Sequence, residues 1–146
     1  GYPSREEATK AMPWFDESGQ LFYRSGDVGY LDEDGWLFLS DRIKDMILSG
    51  GQNIYATDLE QALNAASDVV ESAVVARPSD HWGETPWAFV VKQSSSPRSE
   101  DDIRLEANGR LSSIQAIAGV TFMNELPRSD IGKILKRQLR EAFTED

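Results

Sequence analysis

From Leu21 onward the apolar residues fall in short runs, each closed by Gly, Asp, Ser or Pro. No run approaches the length of a membrane-spanning helix. Such runs make short strands and short amphipathic helices. Leu21-Phe22-Tyr23-Arg24, Val28-Gly29-Tyr30-Leu31 and Trp36-Leu37-Phe38-Leu39 read as three strands. Asp32-Glu33-Asp34-Gly35 joins the last two as a tight hairpin turn, with Gly supplying a positive φ. Residues 21–40 therefore predict a small antiparallel β meander, and residues 1–20 are polar and weakly patterned.

The pattern then changes. Met46-Ile47-Leu48 predicts a strand running into the glycine pair of Ser49-Gly50-Gly51-Gln52-Asn53, where two adjacent glycines imply unusual backbone angles or a close approach. Thr57-Asp58-Leu59-Glu60 fits a capping box, Thr57 at N-cap and Glu60 at N3, opening a helix to about residue 66 that buries Leu59 and Leu63. Strands are expected over 69–76, 87–92 and 120–123. Ser99 is placed to cap a helix ending near Gly109, and residues 114–118 are ambiguous. A terminal helix is expected over 134–143, with Leu135, Leu139 and Phe143 as its buried stripe. The expected fold class is α+β: a small mixed sheet with packed helices, preceded by the short meander. The polar stretch Ser40-Asp41-Arg42-Ile43-Lys44-Asp45 is the expected seam, dividing residues 1–41 from 42–146.

Composition narrows the chemistry. Among 146 residues there is no Cys and one His, which excludes disulfides and thiolate metal sites and disfavours zinc. The net charge of −10 disfavours nucleic acid and anionic lipid as partners. The basic residues are nevertheless clustered: Arg128, Lys133, Lys136, Arg137 and Arg140 lie close together with Asp130 among them. Such a cluster is either a local anion site or a solvated helix face. The sequence opens at Gly1-Tyr2 without a signal-like segment, and a cytoplasmic enzyme is the default expectation.

Three segments carry the chemistry: Tyr23-Arg24-Ser25-Gly26-Asp27; Ser40 to Asp45 with Ser49-Gly50-Gly51; and Leu126-Pro127-Arg128 through Gly132-Lys133-Ile134-Leu135-Lys136. Each alone reads as a turn, an ion pair or a solvated lysine. Gly132-Lys133 is not a P-loop, because the upstream glycine and the following Ser/Thr are missing. In this order, together with Trp82-Gly83-Glu84, they resemble the C-terminal part of the adenylate-forming superfamily of acyl-CoA synthetases, luciferases and peptide-synthetase adenylation domains. The resemblance runs over nearly the whole chain.

The resemblance implies an acid–thiol ligase: carboxylate and ATP give acyl-AMP and pyrophosphate, then CoA gives acyl-CoA and AMP. Residues 1–41 would be the end of the large AMP-binding domain and 42–146 the mobile lid. Asp27 would accept the ribose hydroxyls of ATP or AMP, and Arg42 would reach the same ribose. Lys44 would be the hinge. Ser49, Gly50 and Gly51, with Trp82, would line the CoA channel. Lys133 would be the catalytic lysine, stabilising the charge that shifts between carboxylate and α-phosphate. Mg2+ would come with ATP through an upstream domain, which would also hold the phosphate loop and the pocket for a fatty or aromatic acid. The chain alone is then expected to be inactive. One departure from the family pattern is Ser112 to Gly119, where many acyl-CoA synthetases carry a Tyr-Lys pair. Two alternatives are a domain that loads a carrier-protein thiol and a non-enzymatic α+β interaction module. The meander is too small to own a core, so it should need a larger partner domain or a second copy of itself.

Overall fold

A computed structural model describes residues 6–143, with Ala8, Thr9 and Ala11 described by backbone alone. The chain divides into two compact units after Lys44.

The first unit opens with α1 (Glu6–Ala11), followed by β1 (Pro13–Phe15), β2 (Leu21–Tyr23), β3 (Asp27–Leu31) and β4 (Leu37–Arg42). The expected three-stranded meander is instead two separate hairpins, β1 with β2 and β3 with β4. The weakly patterned N-terminal stretch supplies the missing partner: Trp14 pairs with Phe22, and Arg24 N–H extends the ladder to the Met12 carbonyl at 2.8 Å. Asp16 holds the intervening loop by accepting from the Ser18 and Gln20 amides, both at 2.9 Å. The Asp32–Gly35 turn forms as expected, with Gly35 N–H on the Asp32 carbonyl and Asp32 Oδ1 taking the Trp36 amide at 2.8 Å. No described residue of this unit is buried. Trp14, Phe15, Tyr30, Leu31, Trp36 and Leu37 are all exposed.

The second unit contains β5 (Ile47–Ser49), β6 (Gln52–Ile54), α2 (Ala56–Asn64), β7 (Val69–Ser79), β8 (Gly83–Lys92), α3 (Glu100–Asn108), β9 (Gly119–Phe122) and α4 (Lys136–Glu141). Its sheet runs β6-β5-β8-β7. The second edge of β8 is shared, β5 meeting it at Gly83 and β9 running parallel to it from Trp87 to Val90. Alternate residues of β7 and β8 enter two cores. Val74, Ala88 and Val90 pack with Leu59, Leu63 and Ile103 of α2 and α3. Ala73, Val75 and Phe89 pack on the other face with Leu126 and with Leu139 of α4. Burial on both faces explains why these strands read as continuous apolar runs. The α+β class with a small mixed sheet is thus the observed one.

Two helix starts differ from expectation. α2 begins at Ala56 with Tyr55 at N-cap and no side-chain cap, so Thr57 lies inside the first turn. Glu60 does not close a capping box; its carboxylate instead accepts the Val74 amide at 2.8 Å, a tertiary contact that local propensity cannot foresee. α4 spans Lys136–Glu141 rather than 134–143, because Ile134 is drawn into a bridge with Arg128. The Ser99 cap does form, as a reciprocal box with Asp102. Hydrogen bonds from the Ser99 amide and hydroxyl hold the Asp102 carboxyl below its ordinary range. Ser99→Ala should lower the melting midpoint of the chain by a few degrees, measurable by circular dichroism, as loss of one N-cap typically does.

Candidate functional site

The residues singled out from sequence fall into three groups, one in the first unit and two in the second.

In the first unit, Asp27 opens β3 and Arg42 closes β4, opposite each other across the ladder. Their side chains form an ion pair, Arg42 Nε to Asp27 Oδ1 at 3.2 Å. Both stay partly in water, so the pair is worth little to stability. Its result is to bring a carboxylate and a guanidinium together at one end of a hairpin. Lys44 sits in a short 3-10 turn, Ile43–Asp45, that follows, at the point where the two units divide.

The second group is built on β5 and β6. Gly50 and Gly51 are the two central residues of the hairpin turn, with φ of 55° and 80°. Two successive positive values define the turn that matches strand twist in a two-residue hairpin, and glycine adopts them without strain. Gly50 has a second reason to lack a side chain. Its N–H donates to the Trp82 carbonyl at 2.9 Å, and a Cβ at this position would lie 2.8 Å from Trp82 Cε3. Glu84 completes the lock by accepting the Leu48 amide at 2.8 Å. Ser49, Gly50 and Trp82 line a cavity of about 550 Å³ together with Arg104, Asn108 and Ile114. Trp82 and Ile114 are more than half exposed there. Arg104 directs both Nε and Nη2 onto Asp101 Oδ1, at 3.0 and 2.9 Å.

Asn108 was not legible as a site residue. Its amide clamps Ile117 in both directions, Nδ2 to the carbonyl at 3.0 Å and the Ile117 N–H to Oδ1 at 2.8 Å. This holds the segment from Ser113 to Ala118 as a wall of the cavity. The only sequence signal was an Asn beside Gly109 at a helix end, which read as a terminator.

Lys133 lies on a hairpin-like loop. The Leu135 N–H reaches the Pro127 carbonyl at 2.7 Å, Arg128 bridges to Ile134, and Ser129 N–H meets the Lys133 carbonyl at 2.8 Å. Gly132 turns the tip with φ of 80°. Arg128 Nη1 donates to the Gly132 carbonyl at 2.7 Å, bracing the tip from the stem. The side chain of Lys133 is exposed.

The structure resolves what the basic cluster is. Arg128 pairs with Glu71, Lys136 with Glu60 at 2.8 Å, Arg140 with Asp45 at 2.7 Å and Arg137 with Glu141 at 3.6 Å. Four of the five cations are therefore engaged within their own unit. Among the described residues, none forms an ion pair with Lys133. Arg137 is the solvated part of the cluster, while Arg128, Lys136 and Arg140 are tied into the unit. The cluster is a framework that presents one lysine.

An α+β unit that sets a glycine turn against a tryptophan and presents a lone lysine on a braced hairpin belongs to the AMP-binding enzyme C-terminal domain family, whose model matches residues 58–133. A 2-succinylbenzoate–CoA ligase of Bacillus cereus is 39% identical over 99% of this chain, which covers 29% of that protein. A fatty acid–[acyl-carrier-protein] ligase, ScoC, of Streptomyces coeruleorubidus is 37% identical over all of this chain and 27% of its own length. Among solved structures, ATP-bound MatB from Rhodopseudomonas palustris superposes with a TM-score of 0.86 at 33% identity, over 99% of this chain and 28% of that one. The chain thus spans less than a third of the length of the relatives it matches. No helix among the described residues is long and apolar enough to cross a membrane.

Proposed function

We propose that this chain is the C-terminal portion of an ATP-dependent acyl-CoA synthetase, comprising the end of the large domain and the lid that follows it. The observation that carries this reading is Lys133, the one cation of the five-residue basic cluster with no ion pair among the described residues, exposed at a glycine-turned tip. Its role is to bridge the attacking carboxylate and the α-phosphate oxygens as charge builds between them. An ammonium already paired with a neighbour could not do this without first giving up that partner.

The other groups take complementary roles. Asp27 receives the ribose hydroxyls as an acceptor-only carboxylate, and Arg42 orients it. Lys44 is the hinge, which its place at the division between units supports. Ser49, Gly50, Gly51 and Trp82 border the path of the CoA pantetheine arm, supported by the cavity beside them. Mg2+ accompanies ATP with ligands from the upstream domain. That domain also covers the exposed aromatic surface of residues 13–39 and selects the carboxylic acid. Relatives named both for CoA and for a carrier protein leave a second acceptor in view, and the glycine turn suits either pantetheine thiol.

The test is made on the full-length protein carrying this chain, by carboxylate-dependent pyrophosphate release followed by thioester formation with CoA or with phosphopantetheinylated carrier protein. Thioester formed only on the carrier protein would move the assignment to the second acceptor. In the same assay Asp27→Asn should raise the KM for ATP by about tenfold, the scale of one charge-assisted hydrogen bond, with kcat little changed. An unchanged KM would remove Asp27 from the ribose site.

A further inference from the structure

Glu60 plays no part in the roles above, yet it joins three elements of the second unit, α2, β7 and α4. Its side chain is 18% exposed and that of Lys136 is 17% exposed. One carboxylate oxygen, Oε1, accepts from the Val74 amide of β7 and from Lys136 Nζ of α4, both at 2.8 Å. Beside it Ser72 Oγ donates to Asn64 Oδ1 at 2.9 Å, so a second contact binds α2 to the same strand. β7 ends the sheet order, and a glutamate from α2 therefore satisfies an amide that would otherwise face an open edge. The same atom holds the first residue of α4.

We infer that Glu60 is a positioning residue for Lys133, acting through Lys136. The inference rests on the proposed role of Lys133 in adenylation. Lys136 follows Lys133 by three residues, a reach of at most about 11 Å along the chain. Fixing Lys136 against α2 and β7 therefore fixes where the backbone leaves the lysine hairpin. The other limb is held where Arg128 pairs with Glu71, also on β7, and where Arg128 reaches the Gly132 carbonyl. The hairpin is thus anchored on both limbs to one strand, by carboxylates on residues 60 and 71. Leu139 in the second core and the Arg140–Asp45 pair hold the body of the helix, and the Lys136–Glu60 pair holds its first turn, the end nearest Lys133. A lysine that must meet two shifting oxygens loses rate steeply with misplacement, about a hundredfold for an error near 1 Å.

The experiment separates the two half-reactions in the full-length protein. Pyrophosphate release reads the step that needs Lys133, and thioester formation from supplied acyl-adenylate reads the step that does not. Glu60→Gln and Lys136→Met should each slow pyrophosphate release by about tenfold and leave thioester formation within about twofold of the parent. The double variant should be no slower than either single, because both remove one interaction. Lys136→Arg, which keeps a cation opposite Glu60, should recover most of the rate. Lys136→Met leaves the Glu60–Val74 bond intact, so it carries the test even where Glu60→Gln destabilises the fold. A parallel fall of both half-reactions, or additive losses in the double variant, would overturn the inference. So would an unchanged pyrophosphate release alongside a Lys133→Ala variant that has lost it. If Lys133→Ala itself releases pyrophosphate normally, the underlying reading fails instead.

Discussion

Replacing Lys133 by Ala in the full-length protein should lower carboxylate-dependent pyrophosphate release by about two to three orders of magnitude, the scale of removing one preorganised charge stabiliser. The size of the effect follows from isolation. Arg128, Lys136, Arg137 and Arg140 lie within a few residues but are paired with Glu71, Glu60, Glu141 and Asp45. Arg128, Lys136 and Arg140 could take over the charge only by abandoning partners on other elements, and Arg137 lies on the exposed side of α4. The loss should therefore be nearly complete, and thioester formation from supplied acyl-adenylate should continue. Lys133→Arg is a sharper version of the same test. A planar fork on the same hairpin keeps the charge but not the point geometry, so it should restore only part of the rate. Normal pyrophosphate release in the alanine variant would remove Lys133 from the chemistry.

The second large effect is expected at Gly50, and on the opposite half-reaction. A valine there meets two obstacles. The backbone at φ 55° strains a β-branched residue, and the new Cβ would press on the Trp82 ring at 2.8 Å. Trp82 would have to swing out, disturbing the cavity it borders. Gly50→Val should reduce thioester formation by about a hundredfold while pyrophosphate release stays near the parent value. Pairing Gly50→Ala with Trp82→Ala separates the two causes. If the ring contact dominates, the double variant is faster than Gly50→Ala alone. If backbone strain dominates, removing the indole gives no recovery. Equal loss of both half-reactions would mean that Gly50 supports the fold rather than the thiol's path.

Much of this arrangement could be read before any coordinates. The strands expected at 69–76 and 87–92 form and run on to meet in a longer hairpin, Val69–Ser79 with Gly83–Lys92, while the Ser99 cap and the Asp32–Gly35 turn, local devices whose residues lie within a few positions of one another, form as expected. The failures were nonlocal. Thr57 and Glu60 have the spacing of a capping box, but Glu60 finds Val74 and Lys136, fourteen and seventy-six residues away. The β1 strand was missed because Pro13-Trp14-Phe15 is too short to show alternation, and only its pairing with residues 21–23 reveals it. The site divides the same way. The glycine turn, Asp27, Arg42 and the lysine tip were visible as residues in order, but the pairing of Asp27 with Arg42 across one ladder was not, because the expected seam fell between them. Asn108 as the clamp on residue 117 joins a helix end to the loop beyond it, and the ion pairs of Arg128, Lys136 and Arg140 join residues far apart in the chain; no spacing rule encodes either, whereas Arg137–Glu141 is an ordinary i,i+4 helix pair.

One consequence of the β7–β8 hairpin remains. Glu71, near the start of β7, holds the stem of the lysine loop through Arg128, while the turn after Ser79 carries Trp82 against Gly50. Eight residues of extended chain separate those two points, about 26 Å at the usual rise of a strand. The hairpin is thus a spacer: it sets the strand position that anchors the lysine loop apart from the turn that carries Trp82 against Gly50.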